Sequence, residues 1–166
     1  MSKQALSLLK DVVSTLITVA VIVAIGIAVT GTWPFMVAVE SGSMEPNLHR
    51  GDVVFLFSPD RVGITTYEEG VAKGYKSFGD YGDVIVYYPN GDKSRTPIIH
   101  RAIKWVERGE EIPGDGTAKH SGYITKGDHN AMIDQPYLSS PVKKSWIVGV
   151  AKFRIPYLGY FRLMFG

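Results

Sequence analysis

Two serines flank a glycine at Ser41-Gly42-Ser43, and well downstream come a histidine, His100, and two aspartates, Asp128 and Asp134. A serine hydroxyl is a weak nucleophile until a neighbouring base takes its proton. Neutral imidazole can do so near physiological pH, because histidine titrates at about 6.5, and the imidazolium so formed can protonate a leaving amine. A buried carboxylate fixes the imidazole tautomer and stabilises the imidazolium. The chain thus holds the parts of an acyl-transfer site: Ser43, His100, and Asp128 or Asp134. Their order carries no weight, since the same geometry arises on unrelated folds in different orders.

Other residues compete for these roles. His100, between Ile99 and Arg101 on a strand pattern, could equally be a histidine satisfied within a sheet. Lys104 is the alternative base, because an even offset along a strand puts it on the same face as His100. His49 lies on the way into an apolar run and reads as a turn or solvent residue. His120 sits among glycines and charges and reads as a surface residue. His129 adjoins Asp128 and is harder to set aside. No histidine pair has metal-ligand spacing and the chain has no cysteine, so neither a metal centre nor a disulfide framework is expected, nor any cofactor. The formal net charge of +2 is too small and dispersed for a nucleic-acid-binding surface.

These residues must be positioned by a chain of uneven make-up. No ionisable residue occurs between Asp11 and Glu40. Residues 12–29, VVSTLITVAVIVAIGIAV, would span roughly 27 Å as a helix, close to the ~30 Å of a hydrocarbon core. Ser14, Thr15 and Thr18 are tolerable there because their hydroxyls can bond back to helix carbonyls. The run is too long for a cleaved leader, its nearest small-residue site lies inside it, and it has no polar face for a core helix. It reads as a permanent anchor, broken by Gly31, Thr32 and Pro34, with Trp33 at the interface. Lys3 and Lys10 before it favour a cytoplasmic N-terminus.

Beyond it the pattern is β. Strands are expected at residues 36–39, 53–57, 84–88, 98–106 and 145–153, with Gly-Asp opening two of them at Gly51-Asp52 and Gly82-Asp83. Residues 65–77 suit a short helix, and residues 107–120 an exposed polar hairpin or loop. Short strands with Gly/Pro turns favour an antiparallel sheet. The mixed aromatic and cationic tail, residues 157–165, suits the membrane surface.

The block Ser41-Gly42-Ser43-Met44-Glu45-Pro46, just after a strand near the anchor, resembles the Ser-x-Ser-Met-x-Pro box of type I signal peptidases. The likeness continues through Leu48 and Gly51-Asp52-Val53-Val54, Gly82-Asp83-Val84-Ile85-Val86-Tyr87, Ile99-His100-Arg101, Thr125-Lys126-Gly127-Asp128-His129-Asn130 with Asp134, and Arg154-Ile155-Pro156-Tyr157-Leu158-Gly159. Residues 58–81 and 107–123 match less well. His100 stands where archaeal and endoplasmic-reticulum members carry a histidine and bacterial members a lysine.

The resemblance implies a mostly β, signal-peptidase-like antiparallel domain on one N-terminal transmembrane helix. Residues 1–11 would be cytoplasmic, 12–31 the anchor, and 32–166 an extracytoplasmic catalytic domain, with 155–166 at the membrane interface. Ser43 would be the nucleophile, His100 the base, Asp134 the acid orienting it and Asp128 a supporting acid; Arg101 would pair with one of them. The position of His129 varies in the family, which makes that residue dispensable. The Ser43 N–H and Ser41 hydroxyl would hold the oxyanion, and Gly42 would permit close substrate approach. An extended cleavage region would dock beside residues 36–40, with Met36, Val37 and Val39 lining shallow pockets.

The implied substrates are signal-peptide-bearing preproteins, with membrane lipids and the translocation machinery as neighbours, at the cell membrane or the endoplasmic-reticulum membrane. Two rivals remain. A Ser/Lys autoprotease of the SOS-repressor type would need a DNA-binding domain where the anchor stands. A non-enzymatic anchored β-module would not need a reactive Ser43.

Overall fold

The stretch ahead of the apolar run, KQALSLLKD, holds good helix formers and no breaker. In the computed structural model, which describes residues 3–114 and 116–158, one helix α1 accordingly spans Lys3–Thr30. It begins well before residue 12, where hydropathy alone places the start of the anchor. Its length and composition suffice to cross a membrane. The Thr15 and Thr18 hydroxyls donate to the carbonyls of Asp11 and Ser14, each at 2.9 Å.

The remainder is mostly β. In chain order come β1 (Met36–Ala38), β2 (Val53–Phe57), the single-turn α2 (Pro59–Val62), α3 (Tyr67–Lys73), β3 (Lys76–Ser77), β4 (Asp80–Tyr81), β5 (Val84–Tyr87), β6 (Ile98–Val106), β7 (Glu111–Ile112), β8 (Gly116–Thr117), β9 (Gly122–Lys126) and β10 (Ile147–Ile155). Six strands form an antiparallel sheet in the order β1-β2-β10-β5-β6-β9. The pairs β3–β4 and β7–β8 are small separate hairpins.

Burial explains the sheet order. The unbroken apolar run of β5 is buried on both faces, which suits an interior strand. Val84 and Val86 join Met44, Leu48, Val54 and Leu56 in one core cluster, while Ile85 and Tyr87 join Ala102, Tyr123 and Val150 in another. The expected short helix appears as α3, with a Thr66–Glu69 capping box. Residues 107–120 do form a hairpin, but not a wholly exposed one. Ile112 and Ala118 are buried with Val106 and Ile124 in a third cluster. Of the tail expected at the membrane surface, residues 159–166 lie outside the described residues; Tyr157 and Leu158 are exposed.

One polar side chain joins β6 to the segment ahead of β5. Arg101 is 1% exposed. Its Nη1 donates to the carbonyls of Ser77 at 2.9 Å and Gly82 at 2.8 Å. Its Nε and Nη2 grip Asp128 bidentately at 2.8 and 2.7 Å. Removing one partner of a buried ion pair strands the other charge, which costs about 3–5 kcal/mol. Arg101→Met should therefore lower stability by about that much, read from unfolding in detergent, and Asp128→Leu added to it should recover part of the loss.

Candidate active site

Ser43 lies between β1 and β2 in a turn held by its neighbours. Glu45 N–H donates to Gly42 O at 3.1 Å, and Leu48 N–H to Met44 O at 2.9 Å. Met44 and Leu48 are fully buried in the first core cluster, so the turn is plugged into the core and Ser43 stays half-buried at its surface. From the other side the loop after β9 clamps it, with His129 N–H donating to Ser43 O at 2.9 Å. A Cβ on Gly127 would lie 2.6 Å from Ser43 O and 2.9 Å from His100 Nε2. Only glycine admits this approach.

His100, on β6 opposite Ile85, is 4% exposed. Its Nδ1 is 2.6 Å from Asp134 Oδ2 and its Nε2 is 3.0 Å from Ser43 Oγ. An ionised carboxylate only accepts, so Nδ1 is the donor, and in the neutral ring Nε2 presents its lone pair to the Ser43 hydroxyl. Asp134, 2% exposed, is seated by its own N–H on Thr125 O at 2.8 Å. Its Oδ2 also accepts from Tyr87 Oη at 2.9 Å and Thr125 Oγ1 at 2.7 Å. Gln135 fixes Thr125 in turn, accepting its N–H at 3.0 Å and donating to its hydroxyl at 3.3 Å. The Ser41 and Ser43 hydroxyls are 3.1 Å apart.

The two aspartates separate clearly. Asp134 holds His100, whereas Asp128 is occupied by Arg101 and by Asn47 Nδ2 at 2.8 Å. Lys104 does not share the face of His100. Between Ala102 and Lys104 the register against β9 slips, pairing Ala102 with Thr125 but Lys104 with Ile124. The bulge inverts the alternation. Lys104 Nζ meets Glu110 at 3.4 Å instead.

His49 and His120 lie apart, whereas His129 adjoins the site through its backbone N–H on Ser43 O. His49 is half-buried, with its N–H on Asp52 Oδ2 at 3.0 Å. His120 is not the surface residue that its surroundings in the sequence suggest: its ring stands edge-on to Trp146 at 5.4 Å.

A cleft of about 630 Å³ opens beside Ser43, walled by Val37, Ala38 and Glu40 on one side and Thr96, Pro97, Ile98 and Ile99 on the other, with Val86, Asn130 and Leu138 completing it. Of the three apolar lining residues expected, only Val37 is in this wall. Met36 faces the other way, toward Val19, Ile22 and Val23 of α1. Val39 is 1% exposed within the core. Gly42 lines no part of the cleft, and a Cβ there would sit 3.2 Å from the Glu45 carboxylate.

Sequence reasoning missed Tyr87 and Thr125. A tyrosine closing a buried strand was the available signal, because a buried phenol needs a polar partner. Burial and the Asp134 charge raise the Tyr87 hydroxyl well above the ordinary tyrosine range, so it remains a donor. Tyr87→Phe would remove one of the donors that seat this carboxylate against His100. Covalent labelling of Ser43 by a serine-directed phosphonate should then be slower than in the wild type, while unfolding in detergent shows the fold retained.

No family profile matches the chain. The chain is 35% identical over 136 residues to the signal peptidase complex catalytic subunit SEC11 of Lachancea thermotolerans, covering 80% of this chain and 66% of that one. It is 34% identical over 143 residues to SEC11 of Eremothecium gossypii, covering 82% and 68%. With human SEC11C the identity is 32% over 136 residues, covering 80% and 58%. The chain thus spans a little under two thirds of the length of the Lachancea relative and less of the human one.

Proposed function

The chain belongs to the SEC11 family of signal peptidase catalytic subunits, and on that premise we propose that it is a membrane-bound serine endopeptidase that removes signal peptides from preproteins. The single observation that carries the mechanism is His100 bridging Ser43 Oγ at 3.0 Å and Asp134 Oδ2 at 2.6 Å.

In this reading His100 Nε2 takes the Ser43 proton as Oγ attacks the scissile carbonyl carbon. The imidazolium, held by Asp134, then gives that proton to the departing amine. Water, activated by the same imidazole, releases the acyl group from Ser43 and restores the hydroxyl. The Ser43 N–H and Ser41 hydroxyl hold the oxyanion. Asp128 supports the site indirectly, through Arg101.

Substrate recognition follows from the sheet edge. β1 ends the sheet and borders the cleft. An extended peptide can pair with that edge, and Val37, Val86 and Ile99 leave room for small side chains. The partners are therefore preproteins in extended form, delivered at the membrane by the translocation machinery. Lys3 and Lys10 orient α1 with its N-terminus in the cytoplasm and the β domain outside it, in the lumen if the membrane is that of the endoplasmic reticulum.

The test is cleavage of a preprotein in detergent or lipid. Ser43→Ala should abolish it with the fold intact. Ser41→Ala should slow it by about a hundredfold, the scale of one oxyanion donor. Asp134→Asn should cost far more activity than Asp128→Asn, and Lys104→Ala almost none. Full turnover by Ser43→Ala, or a Lys104→Ala enzyme as inactive as Ser43→Ala, would contradict the reading.

A further inference from the structure

The C-terminal end of α1 is completed by residues from the β domain. The last carbonyls of a helix have no partner within it. Here Gly31, at φ +75°, donates its N–H to Ile27 O at 2.8 Å. Arg61 Nη1 donates to Ala28 O at 2.6 Å and Val29 O at 2.7 Å. Ser58 N–H, at the N-cap of α2, donates to Thr30 O at 2.8 Å. Every carbonyl of the last turn is thus satisfied, three of them from α2 and its cap. The Arg61 cation also stands at the negative end of the helix dipole, where positive charge is favoured.

Two more contacts close the joint. The Thr32 hydroxyl donates to Val148 O on β10 at 2.6 Å. The Phe35 ring fills the notch at Gly26, where a Cβ would come within 2.6 Å of it. A flexible tether would leave these groups to solvent and the intervening residues free to rotate. Here polar satisfaction of the helix end depends on the domain staying docked.

Resting on the protease reading above, the geometry points to Arg61 as a positioning residue that locks anchor and catalytic domain into one rigid body. The Ser43 cleft is thereby held at one height over the bilayer. A preprotein whose own apolar segment shares that bilayer is cut at the bond lying at that height. Arg61 lies outside the Ser43 cleft and takes no part in the hydrogen bonds that join Ser43, His100 and Asp134, so its effect is on which bond is presented, not on the chemistry.

The experiment uses the full chain in lipid vesicles with a preprotein carrying two small-residue sites staggered at different distances from its apolar segment. Product N-termini are read by mass spectrometry, and a soluble peptide bearing one site is cleaved in parallel. The wild type should favour one site. Arg61→Ala, and separately a Gly-Ser-Gly insertion between Gly31 and Thr32, should erode that preference by about threefold or more while peptide cleavage stays within about twofold, because only the geometry of tethering changes. Unchanged site preference in both variants would overturn the inference, as would an equal loss on peptide and preprotein, which would make Arg61 a support of the fold alone. A wild type that cuts neither substrate would overturn the protease reading itself, and that result is separable because no variant is involved.

Discussion

One carboxylate oxygen, Oδ2 of Asp134, collects donors from three neighbouring strands: Tyr87 of β5, His100 of β6 and Thr125 of β9. A buried charge is tolerable only when paired and hydrogen-bonded, and Oδ2 carries this task alone, since Asp134 Oδ1 has no hydrogen-bond partner among the described residues. The three donors converge only if β5, β6 and β9 are in register, because a slip of one residue would turn each side chain to the opposite face. The same register packs Ile85, Ala102 and Val150 into the core. Core packing and the orientation of the imidazole are therefore set by one constraint. Ser43 is brought to that imidazole by a turn whose own buried plugs, Met44 and Leu48, enter the core from the other face of β5.

Much of this was legible in the sequence, and the failures have physical causes. The runs at 53–57 and 98–106 coincide with β2 and β6 because β-branched and aromatic residues are flanked there by turn signals. The serine box stood out through its resemblance to a known motif, and the same resemblance singled out His100, which on its strand pattern alone could equally be a sheet histidine. The choice of Asp134 over Asp128 came from the resemblance and not from the residues themselves, since both follow β9 closely and only the three-dimensional placement of Arg101 claims Asp128. Lys104 looked like a second base because a strand was assumed to alternate without interruption, and the bulge after Ala102 breaks that assumption. Met36 and Val39 were misplaced for a related reason. β1 has three residues, too few for alternation to reveal which face is the cleft and where the core begins. Strand β9 went unnoticed because its residues were absorbed into a functional box, and α2 because the region around it resembles the family least.

The sheet also divides its surfaces by task. Its interior strands are spent on burial and on the polar cluster at Asp134, whereas the edge at β1 keeps backbone groups available beside the cleft. That edge follows directly on the segment leaving α1, so the sheet edge beside the cleft and the end of the apolar helix are covalent neighbours. The proposed cleavage of segments emerging from a bilayer needs this proximity, and here it follows from chain order.

The central claim is that His100, held by Asp134, activates the side chain at position 43. The chain has no cysteine, so Ser43→Cys would introduce a unique thiol whose alkylation rate reports its environment. A free thiol reacts through its thiolate with a pKa of about 8.5. Paired with His100, the thiol should alkylate readily well below that pH, and adding His100→Ala should restore ordinary cysteine behaviour. If the two proteins show the same pH dependence of alkylation, His100 does not activate position 43 and the mechanism is wrong.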